Sequence, residues 1–425
     1  MSIKPQRRKI ASLHSSILDL PPSCIEFCPA HLDYFVVGTY NLHEDESSKG
    51  VDNELDSEES AAPSSTSKPQ SRNGSLLVFQ LAETASDFHQ VQAVSYPSAL
   101  LDLHFNPSPG KCEVLAAVSS TGSLSFFRLS PLKISTAPLV HLRTQRPLGQ
   151  DGSVLFLSCA WHPNVPGLLA ITTSDYRVYI LRVDDGWDSI LLTSEPIITH
   201  TLEAWTVAFS PFLDPCPAKD KDNGVMSSSE CMIFSGGDDS QFLSTRFRYS
   251  LDLDNRAGID SDELWPNPTI AARGHTAGVT AILPIPVELS SGVRVVLTGS
   301  YDDCLRVYTF PVRVVGVMAQ GSKLLAEENL GGGVWRLKLI ELEQTGSPDS
   351  WSVLVLASCM HAGSRIIRVT GVGSEGCDIR VLGVFTEHRS MNYGGDFQPG
   401  TGVKGRRLRC ISTSFYDKLV CLWEF

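Results

Sequence analysis

No stretch of the 425 residues approaches the roughly 18 consecutive apolar residues of a helical membrane span, so a membrane-crossing helix is not expected. Positive charge is scarce, with 35 Lys and Arg against 47 Asp and Glu and a net charge of −12. Nucleic-acid backbones and anionic lipids both need clustered cations, so neither a nucleic acid nor a membrane is expected as a partner. The basic opening from Met1 to Lys9 is not followed by the apolar core of a signal peptide, and a cytoplasmic location is expected. The 11 cysteines lack the paired short spacings of a zinc site: Cys24 and Cys28 are the nearest pair, and no second pair completes them. Buried reduced thiols are expected instead, because free Cys packs as a small hydrophobe. There is no H-E-x-x-H, phosphate loop or dinucleotide fingerprint, so neither a metal nor a cofactor is expected.

What the chain does have is repetition. Hydrophobic residues make up 42% and charged residues 19%, which suits a folded chain with a large interior. One pattern recurs: an apolar strand, a gap, an apolar run ending in small residues, a polar turn and another strand. The clearest copy joins Gly274-His-Thr-Ala-Gly-Val279 to Val295-Val-Leu-Thr-Gly-Ser-Tyr-Asp302 and ends at Tyr308. That is the WD40 signature, with Tyr308 where Trp is usual. Degenerate copies begin near Cys24, Leu100, Leu157, Ala204, Val334 and Asn392. The chain is therefore expected to be all-β, a seven-bladed WD40 β-propeller forming one domain over 1–425. The repeat period of roughly 50–65 residues exceeds the roughly 40–45 of a standard copy, with the excess in polar loops such as Leu213 to Ser229. The chain stops on what reads as a third strand, so an outer strand is missing. Closure is expected from Ile10 to Leu20, because an unpaired edge invites pairing with another chain. Residues 42–73 interrupt the first blade with Glu, Asp, Ser, Lys and Pro; that acidic insert cannot bury enough apolar surface to offset chain entropy and is expected to be a disordered loop.

In a propeller, the loops entering the innermost strands and the turns between second and third strands open on one face. The first set holds Glu203, Trp205, Gly331, Gly332, Gly333, Trp335, Arg336, Tyr393 and Asp396. The second holds Asp238, Asp239, Tyr301, Asp302, His361, Tyr416 and Asp417. Aromatic and acidic residues thus converge on one mouth. Asp302 is expected to fix its turn by hydrogen bonding to His275, and Asp417 to act similarly. Asp238, Asp239, Asp396, Trp205 and Trp335 can be read as structural or as ligand-binding. In Met360-His361-Ala-Gly363, His361 falls where an Asp-Gly turn would serve the fold better, which marks it as a candidate functional residue. Gly274-His-Thr-Ala-Gly278 has the spacing of a nucleophile elbow but lies where the WD40 Gly-His belongs, not between a strand and a helix. These residue types alone lead to a binding face and no further.

Six strings go beyond the repeat: Glu203-Ala-Trp205, Ser235-Gly-Gly-Asp-Asp239, Gly299-Ser-Tyr-Asp302, Gly331-Gly-Gly-Val-Trp-Arg336, Cys359-Met-His361 and Ser414-Phe-Tyr-Asp417. With the closing Leu422-Trp423 they resemble the diphthine methylesterase family, called diphthine methyltransferase in older naming. The chain departs from that pattern at Ser240, where a Gly would be expected. The resemblance implies a hydrolase that removes the methyl ester from methylated diphthine on translation elongation factor 2. The freed carboxylate would then go to a diphthamide amidating enzyme, a possible second partner. On that reading Trp205, Trp335 and Tyr393 hold the trimethylammonium group, Glu203 or Asp238 adds negative field, and His361 is the general base. Arg336 and the backbone N–H groups of Gly331 to Gly333 receive the oxyanion. Asp239, Tyr301, Asp396 and Tyr416 complete the expected substrate-binding set. The alternative is a non-catalytic WD40 scaffold that docks a protein partner at the same mouth, since most propellers are scaffolds.

Overall fold

The computed structural model describes residues 7–42, 72–82, 86–132, 136–150, 152–215, 228–250, 269–312, 321–344, 346–347, 349–402 and 407–425. Among them every regular element is a strand, and the strands form seven sheets. The innermost strands, in blade order, are Pro22–Phe27, Leu100–Phe105, Phe156–Trp161, Ala204–Pro215, Val279–Glu288, Arg336–Gln344 and Gly394–Phe397. Each pairs antiparallel with the next strand in the chain. The result is the expected seven-bladed WD40 propeller.

Alternation along the second strands explains how the blades cohere. Val114–Ser119 and Leu168–Thr173 are buried at every position, because a neighbouring blade covers each face. In Val114–Ser119, Leu115 and Ala117 pack with residues of the first blade, while Val114, Ala116 and Val118 pack with residues of the third. A two-residue period therefore divides one strand between two interfaces. The outer strands have only one crowded neighbour, and Leu139–Gln145 reverts to mixed burial. The apolar core consists of seven clusters, each spanning one pair of adjacent blades.

The ring closes where the unpaired edge required it. Ser12–Ile17 pairs antiparallel with Leu419–Glu424 and becomes the outer strand of the seventh blade. A second anchor was not foreseen: Arg8–Ile10 pairs in parallel with Cys377–Phe385 of the sixth blade. Its Ile10 side chain enters the interface between the sixth and seventh blades. Gly383 makes room for it, since a Cβ there would lie 2.9 Å from Ile10 Cδ1.

Two expected loops begin later than the sequence suggested. Leu42 pairs with Arg72 and Asn41 with Asn73, so the edges of the 42–73 insert are strand; its interior, 43–71, lies outside the described residues. Leu213 and Ser229 are likewise strand residues, paired with Cys231 and Pro215, and 216–227 is not described. In both places a ladder extends outward past the last apolar residue.

Removing residues 1–18 deletes both N-terminal pairings and leaves Leu419–Glu424 as a bare edge. We expect the thermal midpoint to fall by at least about 10 °C, since each kcal/mol is worth about 2–4 °C in domains of roughly 150–250 residues. A truncated chain that melts with the full one in scanning calorimetry would show that the ring closes without this strand.

Candidate active site

Loops entering the inner strands are tied to the second-to-third-strand turns by backbone hydrogen bonds. Asp238 N–H donates to Glu203 O (2.9 Å), Tyr301 N–H to Gly278 O (2.9 Å) and Trp335 N–H to Ser358 O (2.8 Å). Both sets of expected site residues therefore share one mouth.

Aromatic rings run around part of that mouth. The Trp335 ring centroid lies 5.7 Å from Trp205, 5.9 Å from Tyr301 and 4.9 Å from Tyr393. Tyr393 continues to Phe415 at 5.6 Å and Phe415 to Tyr416 at 5.1 Å, with Tyr416 70% exposed at the outer end. Trp205, Trp335, Tyr301 and Tyr393 are half-buried. Asp238 lies beside them: a Cβ on Gly278 would sit 2.6 Å from its Oδ1 and 2.9 Å from Tyr301 Cδ2. Burial, and then the Asp238 charge, raise the Tyr301 phenol above its ordinary value. The buried Trp205 Nε1 has no hydrogen-bond acceptor. Such a donor is uncommon in a folded interior; this one lies beneath the mouth surface, out of contact with solvent.

Several expected ligand-binders serve the fold instead. Asp239 accepts from the amides of Thr201 (2.9 Å) and Gln241 (3.1 Å) and pairs with His200 Nδ1 at 3.0 Å, while His200 Nε2 meets Ser235 Oγ at 2.9 Å. Its carboxylate is committed to the turn. Ser240, the departure from the family pattern, has φ +60°, the left-handed region where glycine is easier. Asp302 also fixes its turn, but not through His275. It accepts from Thr276 N–H (2.9 Å) and from Arg306 Nη1 (2.9 Å), and that same nitrogen donates to His275 Nδ1 (2.9 Å). Arg306 stands between the two, and burial and the Arg306 charge push the His275 pKa down to about 4. Asp417 accepts from Arg389 N–H and Ser390 Oγ, as expected of a turn-fixing carboxylate.

Gly332 and Gly333 are buried against the next turn: a Cβ would meet Cys359 O at 2.5 Å at Gly332, and Met360 Sδ at 2.6 Å at Gly333. Their smallness serves close blade packing. That contact sets the Cys359–Gly363 turn against the cleft, with Met360 at φ +40° and His361 exposed on it.

Arg336 and Asp396 lie inside the channel, within a charged network that the sequence reading overlooked. Arg336 Nη2 donates to Asp102 Oδ1 at 2.6 Å, and Ser158 Oγ donates to Asp102 Oδ2 at 2.8 Å. One layer further in, His104 is held between Glu26 Oε2 (2.9 Å, Nδ1) and Asp102 Oδ2 (3.3 Å, Nε2). Lys338 Nζ is 3.1 Å from Glu26 Oε1 and 3.8 Å from Asp396 Oδ1, and Phe27 N–H donates to Asp396 Oδ2 at 2.7 Å. A signal did exist: Asp102-Leu-His104 and Arg336-Leu-Lys338 each carry charged residues two apart in an apolar inner strand, and Glu26 is a lone acid in another, where one face must line the channel.

Burial opposes charge on every member of this network, but the partners win in most cases. His104, facing two carboxylates, rises to about 9, while Lys338 and His104 hold Glu26 down at about 2. Asp396 is the exception: burial and the nearby Glu26 charge raise it to about 6, with Lys338 pulling the other way.

A histidine raised by folding stabilises the native state fully below the unfolded value of about 6.5 and loses that contribution as pH rises through its folded value. His104→Gln is therefore expected to cost about 3 kcal/mol near pH 6.5, the lower end for breaking a buried ion pair. The gap to the parent should narrow as pH rises through about 9. Urea unfolding of both proteins across that range tests this, and a constant gap would mean that His104 is not held as a cation.

No protein-family model matches the chain. Across 96% of its length it is 29% identical to diphthine methyltransferase of Schizosaccharomyces pombe, covering 95% of that protein. Across 89% of its length it is 26% identical to diphthine methyltransferase of Mus musculus, covering 68% of that one. Among solved structures, a chain of the mitotic checkpoint complex matches at TM-score 0.48 and 12% identity, covering 89% of this chain and 99% of that one; the fold assignment rests on the strand pairing above. By sequence, this chain is a relative of the diphthine methyltransferases along nearly its whole length.

Proposed function

We propose that this protein acts in diphthamide biosynthesis as a hydrolase that removes the methyl ester of methylated diphthine on translation elongation factor 2. The observation that carries the reading is the half-buried aromatic cluster of Trp205, Trp335, Tyr301 and Tyr393 beside Asp238, with Arg336 next to Trp335 in the chain. The relatives' names supply the pathway. The hydrolytic direction comes from the family resemblance, and it asks the cleft for a cation seat, a water and a partner for the oxyanion.

Diphthine carries its trimethylammonium on the carbon that bears the carboxyl group, so cation seat and reaction centre must be close together. The ring faces attract the ammonium, and Asp238 adds an opposite charge, together worth about 2 kcal/mol when desolvated. Trp335 and Arg336 are consecutive, so the ring that seats the cation and the guanidinium of the channel network are neighbours in the chain. Water attacks the ester carbonyl carbon, negative charge gathers on the carbonyl oxygen, and the C–O bond breaks to release methanol and leave a carboxylate. Arg336 keeps N–H groups beyond those it gives to Asp102 and receives the oxyanion. The backbone N–H groups of Gly332 and Gly333 are the other candidate donors. His361, on the turn that adjoins the cleft through Met360, takes the proton from the attacking water.

A scaffold that docks a partner at the same mouth would use the same aromatic rings without hydrolysing an ester. The purified chain, incubated alone with methylated elongation factor 2, is expected to liberate methanol; a scaffold would release none. Trp335→Ala should mainly raise KM, by about tenfold or more for a loss of about 2 kcal/mol. His361→Ala should lower kcat by about 10²-fold or more. A folded His361→Ala protein that works at the parent rate removes His361 as the base.

A further inference from the structure

Beneath the Arg336–Asp102 pair the channel continues as a cavity of about 320 Å³, open to solvent. Its far walls come from the ends of the inner strands and the residues after them, so it extends away from the aromatic mouth. Trp161, Phe105, Phe209 and Leu283 give it an apolar side, and Asp102, His104, Arg336 and Lys338 give it a charged one.

The charged side is positive. The network as a whole balances three cations with three carboxylates, but the two signs are not equally exposed. Side chains of His104, Arg336 and Lys338 are 24%, 22% and 23% exposed, against 1%, 8% and 16% for Asp102, Asp396 and Glu26. Glu26 and Asp396 do not line the cavity. Asp102 lines the cavity but is almost fully covered, so the charged atoms that face the space are mainly those of the cations.

We propose that this cavity is a binding site for a small organic carboxylate, its acid group received by Lys338 and Arg336 and its apolar body lying against Trp161, Phe105 and Phe209. The donors are available. Lys338 has three N–H groups, of which one meets Glu26 at 3.1 Å, and Arg336 has five, of which those to Asp102 account for two. Both His104 nitrogens are taken by carboxylates, so His104 contributes field and not a bond. An inorganic anion would leave the apolar wall wet, because the space is about ten times the roughly 30 Å³ share of one water. An organic cation would meet three exposed positive groups. The volume lies at the small end of ligand pockets, roughly 300–1,000 Å³, which suits a molecule of about one ring. The site shares Arg336 with the proposed reaction, but Lys338 and the apolar wall have no part in that reaction, and the probe needs no elongation factor.

Benzoate is the probe, titrated into the full chain by calorimetry beside benzylammonium and inorganic phosphate. Saturable benzoate binding is expected, with none by benzylammonium and phosphate at least about tenfold weaker. Lys338→Met should weaken benzoate by about tenfold or more, the loss expected for one charge-assisted hydrogen bond, while Lys338→Arg stays within about threefold of the parent. Should Lys338→Met fail to fold, NMR of the parent still decides: benzoate should shift the Trp161 indole resonance and leave that of Trp205 in place. No saturable binding, equal binding of benzylammonium or phosphate, a folded Lys338→Met protein of parental affinity, or a shift at Trp205 alone would each overturn the site.

Discussion

Everything in this molecule depends on strands that belong to two interfaces at once. A buried second strand sends odd residues to one neighbouring blade and even residues to the other, so no blade can complete its core alone. In a linear array the first and last blades would each keep one bare apolar face. Closing the ring removes both: Ile411, Val420 and Leu422 of the seventh blade pack against Phe27, Phe35, Val37 and Phe79 of the first. The N-terminal strand then covers the remaining edge. A change at one interface is therefore felt around the ring, and the two mouths of the channel exist only because it closes.

Closure also fixes what the inner strands must be. Their outer neighbours demand apolar residues, yet one face of each points into a narrow shared channel. Polar side chains placed there can satisfy one another across the ring, between segments hundreds of residues apart in sequence. Asp102 and Arg336 are such a pair, separated by 234 positions. Buried ion pairs gain stability only when geometry and further hydrogen bonds offset desolvation. Here Ser158 Oγ and the Cys159 amide complete Asp102, and the Phe105 amide helps complete Glu26.

The sequence carried the ring more fully than it carried the site. Blade number, closure by Ser12–Ile17 and the gathering of Trp205, Trp335, Tyr301 and Tyr393 at one mouth all follow from local patterns: alternation, turn residues and an unpaired edge. The errors arose where an answer depended on a neighbour that is remote in the chain. Asp302 was expected to reach His275, but Arg306, four residues on from Asp302, fills the gap. Gly332 and Gly333 pack against the Cys359–Ala362 turn, a contact that the glycine run itself does not announce. Asp396 was placed at the rim by its position in a loop-to-strand segment, whereas the strand begins at Gly394 and carries Asp396 two residues into the channel. The charged network was visible as polar residues at alternate inner-strand positions. Its pairings were not, because they depend on which blades face one another across the channel.

The turn residues give the clearest separation of fold from chemistry. In the fourth, fifth and seventh blades an aspartate sits at the turn after the second strand, and each of the three is fully engaged: Asp239 with His200 and two amides, Asp302 with Arg306 and Thr276, Asp417 with Arg389 N–H and Ser390. The sixth blade has no such aspartate. Its turn is held by backbone bonds, with Ala362 N–H to Cys359 O and Gly363 N–H to Met360 O, and by Arg365 Nη1 donating to Ala362 O. The carboxylate's structural task is thereby discharged without a side chain from the turn itself, which leaves His361 exposed with no part in holding its own turn. The proposed role of His361 as the base asks for a turn position free of structural work, and the sixth blade supplies one.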